Sequence, residues 1–583
     1  MSDYQDADQP IERRVEDLLA RMTVAEKAAL MFHPTTQPGD ALKDAEAVSV
    51  AEEDVVARGI SHFNVLGGED SAAVAAWHNT IQQMAESTRL GIPITLSSDP
   101  RHGFRDNPFT GQALNSLSRW PETTGIAAIG TIEAAREYGD VIRQEFLEMG
   151  IRVYLGPMAD IFSEPRWSRG IGTWGEDPQR VAELTVAFIE GLRRGPRLSP
   201  DSVAAVVKHF PGGGPQLKGD DAHDPRYTEQ VYPGGQQELH LKPFVRAFAT
   251  GVTQVMTYYG KPIGTDWPEV GFGFNAPVVQ GILRERLGFD GIVVTDWNLL
   301  EPTFIAGVDF GPNGWGLEHL TPIERARIAL EAGVDQFGGD RNPSLIEELV
   351  DTGQIAEARL DASVRRLLRE KFRLGVFEHR RVDPVRTREV CGSPVFFEQG
   401  ARAQRESLVL VSQRGALPIA LGAKLFLDGL SADSIPDEDR VDDPADADAI
   451  VVRRDCPFET GRGSMGDFFR GGSLAFPEEE LALLRSYADH APVYVVVFME
   501  RPAIIAPVVE FSAAVVADFG ASDAVVLDAL RGNAPFTGTL PFDIPSSMAA
   551  VEASREDVPF DTENPSFRFG HGLRMAAQGD AVH

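Results

Sequence analysis

At 583 residues the chain is longer than one hydrophobic core usually supports, so at least two domains are expected. A composition of 43% hydrophobic and 24% charged residues is that of a globular protein and excludes disorder on a large scale. The formal net charge of −32 excludes nucleic acid and anionic membranes as partners, whereas a neutral small-molecule ligand is indifferent to it.

In chain order, residues 10 to 31 carry helical periodicity, and Thr23 with Glu26 makes a capping box that starts a second helix. Short apolar runs then alternate with helical segments. Strands are expected at His62–Leu66, Ile92–Ser97, Arg152–Leu155, Val203–Phe210, Gln254–Tyr258, Ile292–Asp296 and Val334–Phe337, with helices at 71–86, 132–149, 179–194, 235–250 and 321–332. Alternation at this spacing predicts a parallel sheet, and its length suits a (β/α)8-like (TIM) barrel over residues 1–375. Arginines, prolines and the loss of periodicity between Gly375 and Pro394 read as a linker, assigned to 376–400. A second α/β unit follows over 401–575, an α/β sandwich with a mostly parallel sheet and strands at Ser407–Ser412, Lys424–Leu427, Ala449–Arg453, Val493–Phe498 and Ala514–Asp518; residues 576–583 are left as a tail. Segment 431–448, with eight acidic residues, reads as an exposed loop.

Two cysteines, Cys391 and Cys456, rule out a disulfide framework and a four-cysteine zinc site but leave a lone bridge open. The N-terminus has no apolar stretch of signal type and the chain has no run of 18 apolar residues, so a cytoplasmic location is expected. Gly461-Arg462-Gly463-Ser464-Met465-Gly466 fits a dinucleotide glycine pattern. It lacks the strand before it and the helix after it that such a site needs, so no cofactor is expected.

Chemistry is best read at Gly288–Trp297. The turn at Asp290-Gly291 releases the branched run Ile292–Val294, which stops on the carboxylate of Asp296, and a barrel carries its chemistry at C-terminal strand ends. Trp297 offers the flat apolar face that a sugar ring prefers. The plain alternative is a helix cap beside a core tryptophan. Four other strand ends carry comparable groups: Asp99-Pro100-Arg101-His102, Glu164 to Arg169, Lys208-His209 and Tyr258-Tyr259. Each alone has a structural explanation: Arg169 pairing with Glu176 or Asp177, a snorkelling Lys208, or a satisfied core His209. Their combination describes one pocket ringed by acids, bases and aromatic faces.

The segments RVEDLLARMTVAEKAALM, GPMADIFSEPRWSRGIGTWGEDPQRVAEL, KHFPGGG, LRERLGFDGIVVTDW and FRFGHGL resemble, in the same order, the landmarks of glycoside hydrolase family 3. The likeness is to its two-domain β-glucosidase and glucan exohydrolase branch and spans nearly the whole chain. It implies a barrel and an α/β sandwich with the site between them, an exo-acting retaining mechanism on terminal β-D-glucose, and no cofactor or metal. Carried over by residue, Asp296 is the nucleophile; Asp99, Arg169, Lys208, His209 and Tyr259 hold sugar hydroxyls; Trp297 flanks the ring. Retaining hydrolysis needs a second carboxyl about 5–5.5 Å from the first. Cys456-Pro457-Phe458-Glu459-Thr460 resembles the segment that supplies it, which makes Glu459 the acid/base; Glu478, Glu479 and Glu500 are weaker candidates.

Alternatives stay open. Asp221-Ala222-His223 resembles the acid/base pair of the family's N-acetylglucosaminidase branch, which would make the chain a β-N-acetylglucosaminidase or a phosphorylase; a longer spacer and the PGGGPQ sequence depart from that pattern. Otherwise the loop at 218–224 edges the substrate, with Asp220 or Asp221 on a hydroxyl. His223 with Asp220, Asp221 and Asp224 could also hold a divalent ion. A β-xylosidase, or a non-catalytic sugar-binding protein on a decayed hydrolase fold, are further readings. No tryptophan follows Trp315, so the second-domain tryptophan that clamps sugar in plant glucan exohydrolases has no counterpart. The expected partner is a small carbohydrate, and a homodimer is compatible with such a chain.

Overall fold

The computed structural model describes residues 2–38, 53–68, 70–105, 115–305, 308–462 and 467–577. Part of the glycine run, 463–466, and the end of the tail, 578–583, lie outside the described residues. Eight strands form one parallel sheet: β1 Phe32–Thr36, β2 His62–Val65, β3 Thr95–Ser98, β4 Ile151–Tyr154, β5 Ala204–Phe210, β6 Gln254–Thr257, β7 Ile292–Val294 and β8 Phe337–Gly339. They follow the order β8-β1-β2-β3-β4-β5-β6-β7. A parallel bridge from Val294 to Gln336, with the Thr295 N–H donating to the Gln336 carbonyl at 2.9 Å, joins the two ends into a barrel.

Sequence periodicity finds seven of these strands and misses β1. The capping box at Thr23 is present, but the helix it starts, Val24–Leu30, gives way directly to Phe32–Thr36, whose Pro34 disguises a strand. β8 also begins three residues later than expected. Val334 and Asp335 approach the sheet first, and the Asp335 carboxylate accepts the Val293 N–H at 2.9 Å.

Branched and small side chains fill the barrel axis, as this architecture requires. Val153, Leu155, Ala204, Val206, Met256 and Val294 form one buried cluster, plugged by Leu374 and Val376 beyond the last barrel helix, Glu357–Arg373. The aperiodic stretch from 376 to 400 holds the helix Pro384–Val390 and the start of Pro394–Ser407. The prolines that read as breakers stand at the first helical position, where a missing N–H costs nothing, behind the caps Asp383 and Ser393.

The second sheet comprises β9 Val409–Gln413, β10 Leu425–Asp428, β11 Ala449–Asp455, β12 Val493–Phe498 and β13 Ala514–Asp518, in the order β9-β13-β12-β11-β10. All its pairings are parallel except β9 with β13. Alternation along β12 serves both faces: Val493, Val495 and Val497 enter one core, Tyr494 and Val496 the other. The first of these cores also contains Ala128, Phe162 and Trp167 of the barrel, so the two sheets share apolar packing. Cys391 and Cys456 are buried free thiols. Among the described residues no helix is long and apolar enough to cross a membrane.

At this junction Gly175 adopts φ +96°, and a Cβ there would lie 2.3 Å from the Pro541 carbonyl oxygen. Gly251, at φ +84°, has open space around it. Gly251→Ala is expected to cost only the left-handed backbone term, about 1–2 kcal/mol. Gly175→Ala adds a clash with backbone and should lower the melting temperature clearly further; equal melting temperatures would show that the junction yields freely.

Candidate active site

A cavity of about 310 Å³ opens at the C-terminal ends of the barrel strands, against the second domain. Asp99 follows β3, Lys208 lies in β5, Tyr259 follows β6, and Asp296 and Trp297 follow β7; all of them line it. Arg169 joins them from the short helical turn Ser168–Gly172 beyond β4. β5 and β6 slip out of register between Val207 and Phe210, an irregularity that re-aims side chains. Lys208 there reaches the cavity, while His209 is fully buried behind it.

The charges at this mouth are nearly buried and are paired. Lys208 Nζ donates to Asp99 Oδ1 at 2.8 Å, and Asn64 Nδ2 approaches Asp99 Oδ2 at 3.4 Å. Lys208 therefore does not snorkel. Arg169 does not pair with Glu176 or Asp177: its Nη2 donates to His209 Nε2 at 2.8 Å. Glu176 instead accepts the Asp543 N–H, and Asp177 caps the helix Pro178–Arg193. Because His209 Nε2 accepts, Nδ1 carries the proton and donates to Asp160 Oδ2 at 2.9 Å. Burial, helped by the Arg169 charge, keeps this imidazole neutral by holding its pKa well below the usual histidine range. Burial pushes the Asp160 carboxyl up to about 6, against N–H donors from Gly213 and His209.

Asp296 Oδ1 accepts the Trp297 N–H at 3.0 Å. Its Oδ2 is buried, lies 3.9 Å from His209 Nε2 and accepts no hydrogen bond among the described residues. Arg169 Nη1 is likewise a buried donor without an acceptor among them. Buried polar atoms in folded proteins are almost always satisfied, so an orphan acceptor and an orphan donor in one pocket mark a place where a polar ligand completes the bonding. The Tyr259 hydroxyl accepts the Trp297 N–H at 2.8 Å and donates to the Trp297 carbonyl at 2.9 Å. Burial and the Asp296 charge raise its pKa well above the ordinary phenol value, so it remains a donor. Trp297 is itself oriented by an Nε1 bond to Thr35 Oγ1 at 2.7 Å.

Glu459 is not brought to the cavity wall. Its side chain is 56% exposed, 4.0 Å from the Arg462 guanidinium, and Oε1 accepts the Ser473 N–H at 3.2 Å. Three second-domain residues do line the cavity: Phe468, Phe469 and Glu500. The aromatic pair occupies the part of the loop returning from Glu459, and its place in that loop was the available sequence signal for an aromatic wall without tryptophan. Glu500 is largely buried, with Oε2 3.2 Å from Arg470 Nε; burial raises its pKa. Glu478 and Glu479 open the helix Glu478–Ala488, away from the cavity lining.

His223 also lines the cavity, with its ring 4.6 Å from that of Tyr259 and 4.8 Å from that of Phe469. Its Nδ1 lies 2.5 Å from Asp221 Oδ1, and Trp167 Nε1 donates to Asp221 Oδ2 at 3.1 Å. Although burial opposes it, the His223 charge and hydrogen bonds hold Asp221 well below the usual carboxylate range. Asp220 and Asp224 are drawn elsewhere, to Arg462 and Arg226. The carboxylates of 218–224 are thus engaged by protein partners, and among the described residues no group of three His, Cys, Asp or Glu side chains is arranged to hold a metal.

Lys208→Met would leave Asp99 buried without its cation, a loss of about 3–5 kcal/mol for such a pair. The expected result is a lower melting temperature and weaker sugar binding, with the melting temperature partly recovered in the Asp99→Asn/Lys208→Met double variant. A double variant less stable than the single one would show that the pair is not what holds this wall.

Residues 24–370 match the glycosyl hydrolase family 3 N terminal domain, and residues 224–575 match the glycosyl hydrolase family 3 C-terminal domain. A probable beta-glucosidase C of Aspergillus flavus is 43% identical over 98% of this chain and 92% of its own length. A periplasmic beta-glucosidase/beta-xylosidase of Dickeya chrysanthemi is 36% identical over 98% of this chain and 91% of its own length. The solved structure of a β-glucosidase from Erythrobacter marinus superposes with a TM-score of 0.80 at 21% identity, covering 98% of this chain and 84% of the other, which is a likeness of fold. With both family domains in place and relatives matched along nearly their full length, the chain belongs to glycosyl hydrolase family 3 and is a glycoside hydrolase.

Proposed function

We propose that this hydrolase is an exo-acting, retaining β-glucosidase that removes terminal non-reducing β-D-glucose from glucosides or short oligosaccharides. The observation that carries the reading is Asp296 Oδ2, buried at the mouth of the barrel beside charged hydrogen-bond donors and without a hydrogen-bond partner among the described residues. Hydrogen bonds that involve an ionised group are stronger than neutral ones, which suits Asp99 as acceptor and Lys208 and Arg169 as donors to the hydroxyls of the terminal ring, with His209 fixing Arg169 from behind and Tyr259 lining the pocket beside them. Trp297 supplies the flat face.

In the first step an Asp296 carboxylate oxygen attacks the anomeric carbon as the bond to the glycosidic oxygen breaks, and Glu459 gives that oxygen a proton. In the second step Glu459 takes a proton from water, the water oxygen attacks the anomeric carbon, and Asp296 leaves; two inversions give retention. Glu459 shares a loop with the cavity-lining Phe468 and Phe469, and catalytic hydrogen bonds commonly close only around substrate. The names of the Aspergillus and Dickeya relatives support a glucosidase over an acetamido or phosphorolytic activity, and the Dickeya name makes xylose the competing terminal sugar to assay.

A 2-deoxy-2-fluoro glucoside with an activated leaving group is expected to label the peptide containing Asp296; a label elsewhere removes the assignment. Glu459→Ala is expected to slow alkyl glucosides by about 10²–10⁴ while sparing formation of the glycosyl-enzyme from dinitrophenyl glucoside, with azide restoring turnover. Unchanged alkyl glucoside hydrolysis would direct attention to His223, Glu500 or Glu122, which also line the cavity.

A further inference from the structure

The loop that begins at Glu459 is tied at its neck and, through Arg462, to the barrel. At the neck, the Glu459 N–H donates to the Gly471 carbonyl at 3.0 Å, closing the loop on itself. The buried Arg501 guanidinium donates to the Gly472 carbonyl at 2.8 Å and to that of Pro457, and reaches the Arg166 carbonyl of the barrel at 3.3 Å. Three residues on from Glu459, the Arg462 guanidinium pairs with Asp220 of the barrel, and the Arg462 carbonyl accepts from Arg226. The same guanidinium stands 4.0 Å from the Glu459 carboxylate. Asp220 is a firm anchor because its neighbour Asp221 is fixed by Trp167 and a Cβ on Gly219 would already strike Arg166 and Trp167.

Exposed ion pairs contribute little, about 0–1 kcal/mol, and would not hold a loop in place. This pair is different in kind: the Arg462 and Asp220 side chains are only 17% and 13% exposed, so solvent screens it weakly. We propose that Arg462 is a positioning residue: paired with Asp220 across the domain boundary and 4.0 Å from the Glu459 carboxylate, it holds the root of the Glu459 loop in register with the barrel, from where Glu459 serves the cavity. The inference rests on the reading of Glu459 as acid/base. It extends that reading by assigning the specificity for poor leaving groups, which need protonation, to an ion pair outside the cavity.

The test is leaving-group dependence in Arg462→Met and Asp220→Asn, with melting temperatures measured alongside. Both variants are expected to slow methyl or octyl glucoside by about 10–100-fold while changing dinitrophenyl glucoside less than about 2-fold, since only the former needs the acid. The double variant should be no slower than either single one, as coupled partners require. Arg462→Lys should recover part of the loss, and Arg462→Met should add nothing in a Glu459→Ala background. Equal losses on both substrates, or additive losses in that background, would overturn the proposal as a general structural effect. If Glu459→Ala alone spares alkyl glucosides, the acid/base reading fails and takes the latch with it. If Glu459→Ala cripples them and both latch variants do not, the latch alone fails.

Discussion

Everything at the barrel mouth depends on keeping charges out of water without leaving them uncompensated. Desolvating an ion costs several kcal/mol even after relaxation, and here at least five ionisable groups are nearly buried within a few strand ends of one another. The solution is a chain of partners: Asn64 and Lys208 on Asp99, Asp160 under His209, His209 under Arg169. Two atoms are left out of that accounting, Asp296 Oδ2 and Arg169 Nη1, and they are the ones a bound sugar can complete. The same order explains why His209 is no acid or base. Both its nitrogens are already committed, one as donor and one as acceptor, so it serves as a rigid spacer between Asp160 and Arg169.

The second domain contributes differently. Its groups at the cavity, Phe468, Phe469 and Glu500, come from one loop and one strand end. The barrel thus supplies a preorganised, multiply bonded set of charges to the cavity, and the second domain supplies an aromatic and acidic wall. Preorganised charge is most valuable where the reacting bond lies, and less binding order is needed where the leaving portion varies.

Much of this was legible in the sequence because strand ends in a parallel barrel converge whatever the loops do. Asp99, Lys208, Tyr259 and Asp296 each follow a recognisable apolar run, so naming the strands already collects the residues. Where local pattern and tertiary context part, the reading falters. β1 hides behind Pro34 and an adjoining helix, and the helices at Pro384 and Pro394 hide because proline signals both an end and a beginning. Asp220 and Asp221, expected to edge the substrate, are consumed by Arg462 and by His223 with Trp167, partners too distant in sequence for local pattern to reveal. Glu500 was only a weaker candidate acid/base because a lone glutamate at a strand end looks like surface until a second sheet is docked on the barrel.

The shared apolar core has a bearing on how such a chain can change over generations. Phe162 and Trp167 lead into the turn Ser168–Gly172 that carries Arg169, and Phe162 packs edge-on against Phe542 with ring centroids 5.6 Å apart. A substitution inside the second domain that moves Phe542 is therefore felt, through that ring contact, at Gly170, the neighbour of Arg169 against which the Phe162 ring lies. The two domains cannot drift as independent modules: each tolerated change in one core narrows or widens what the other can accept, because both sides of the Phe162–Phe542 contact must change together.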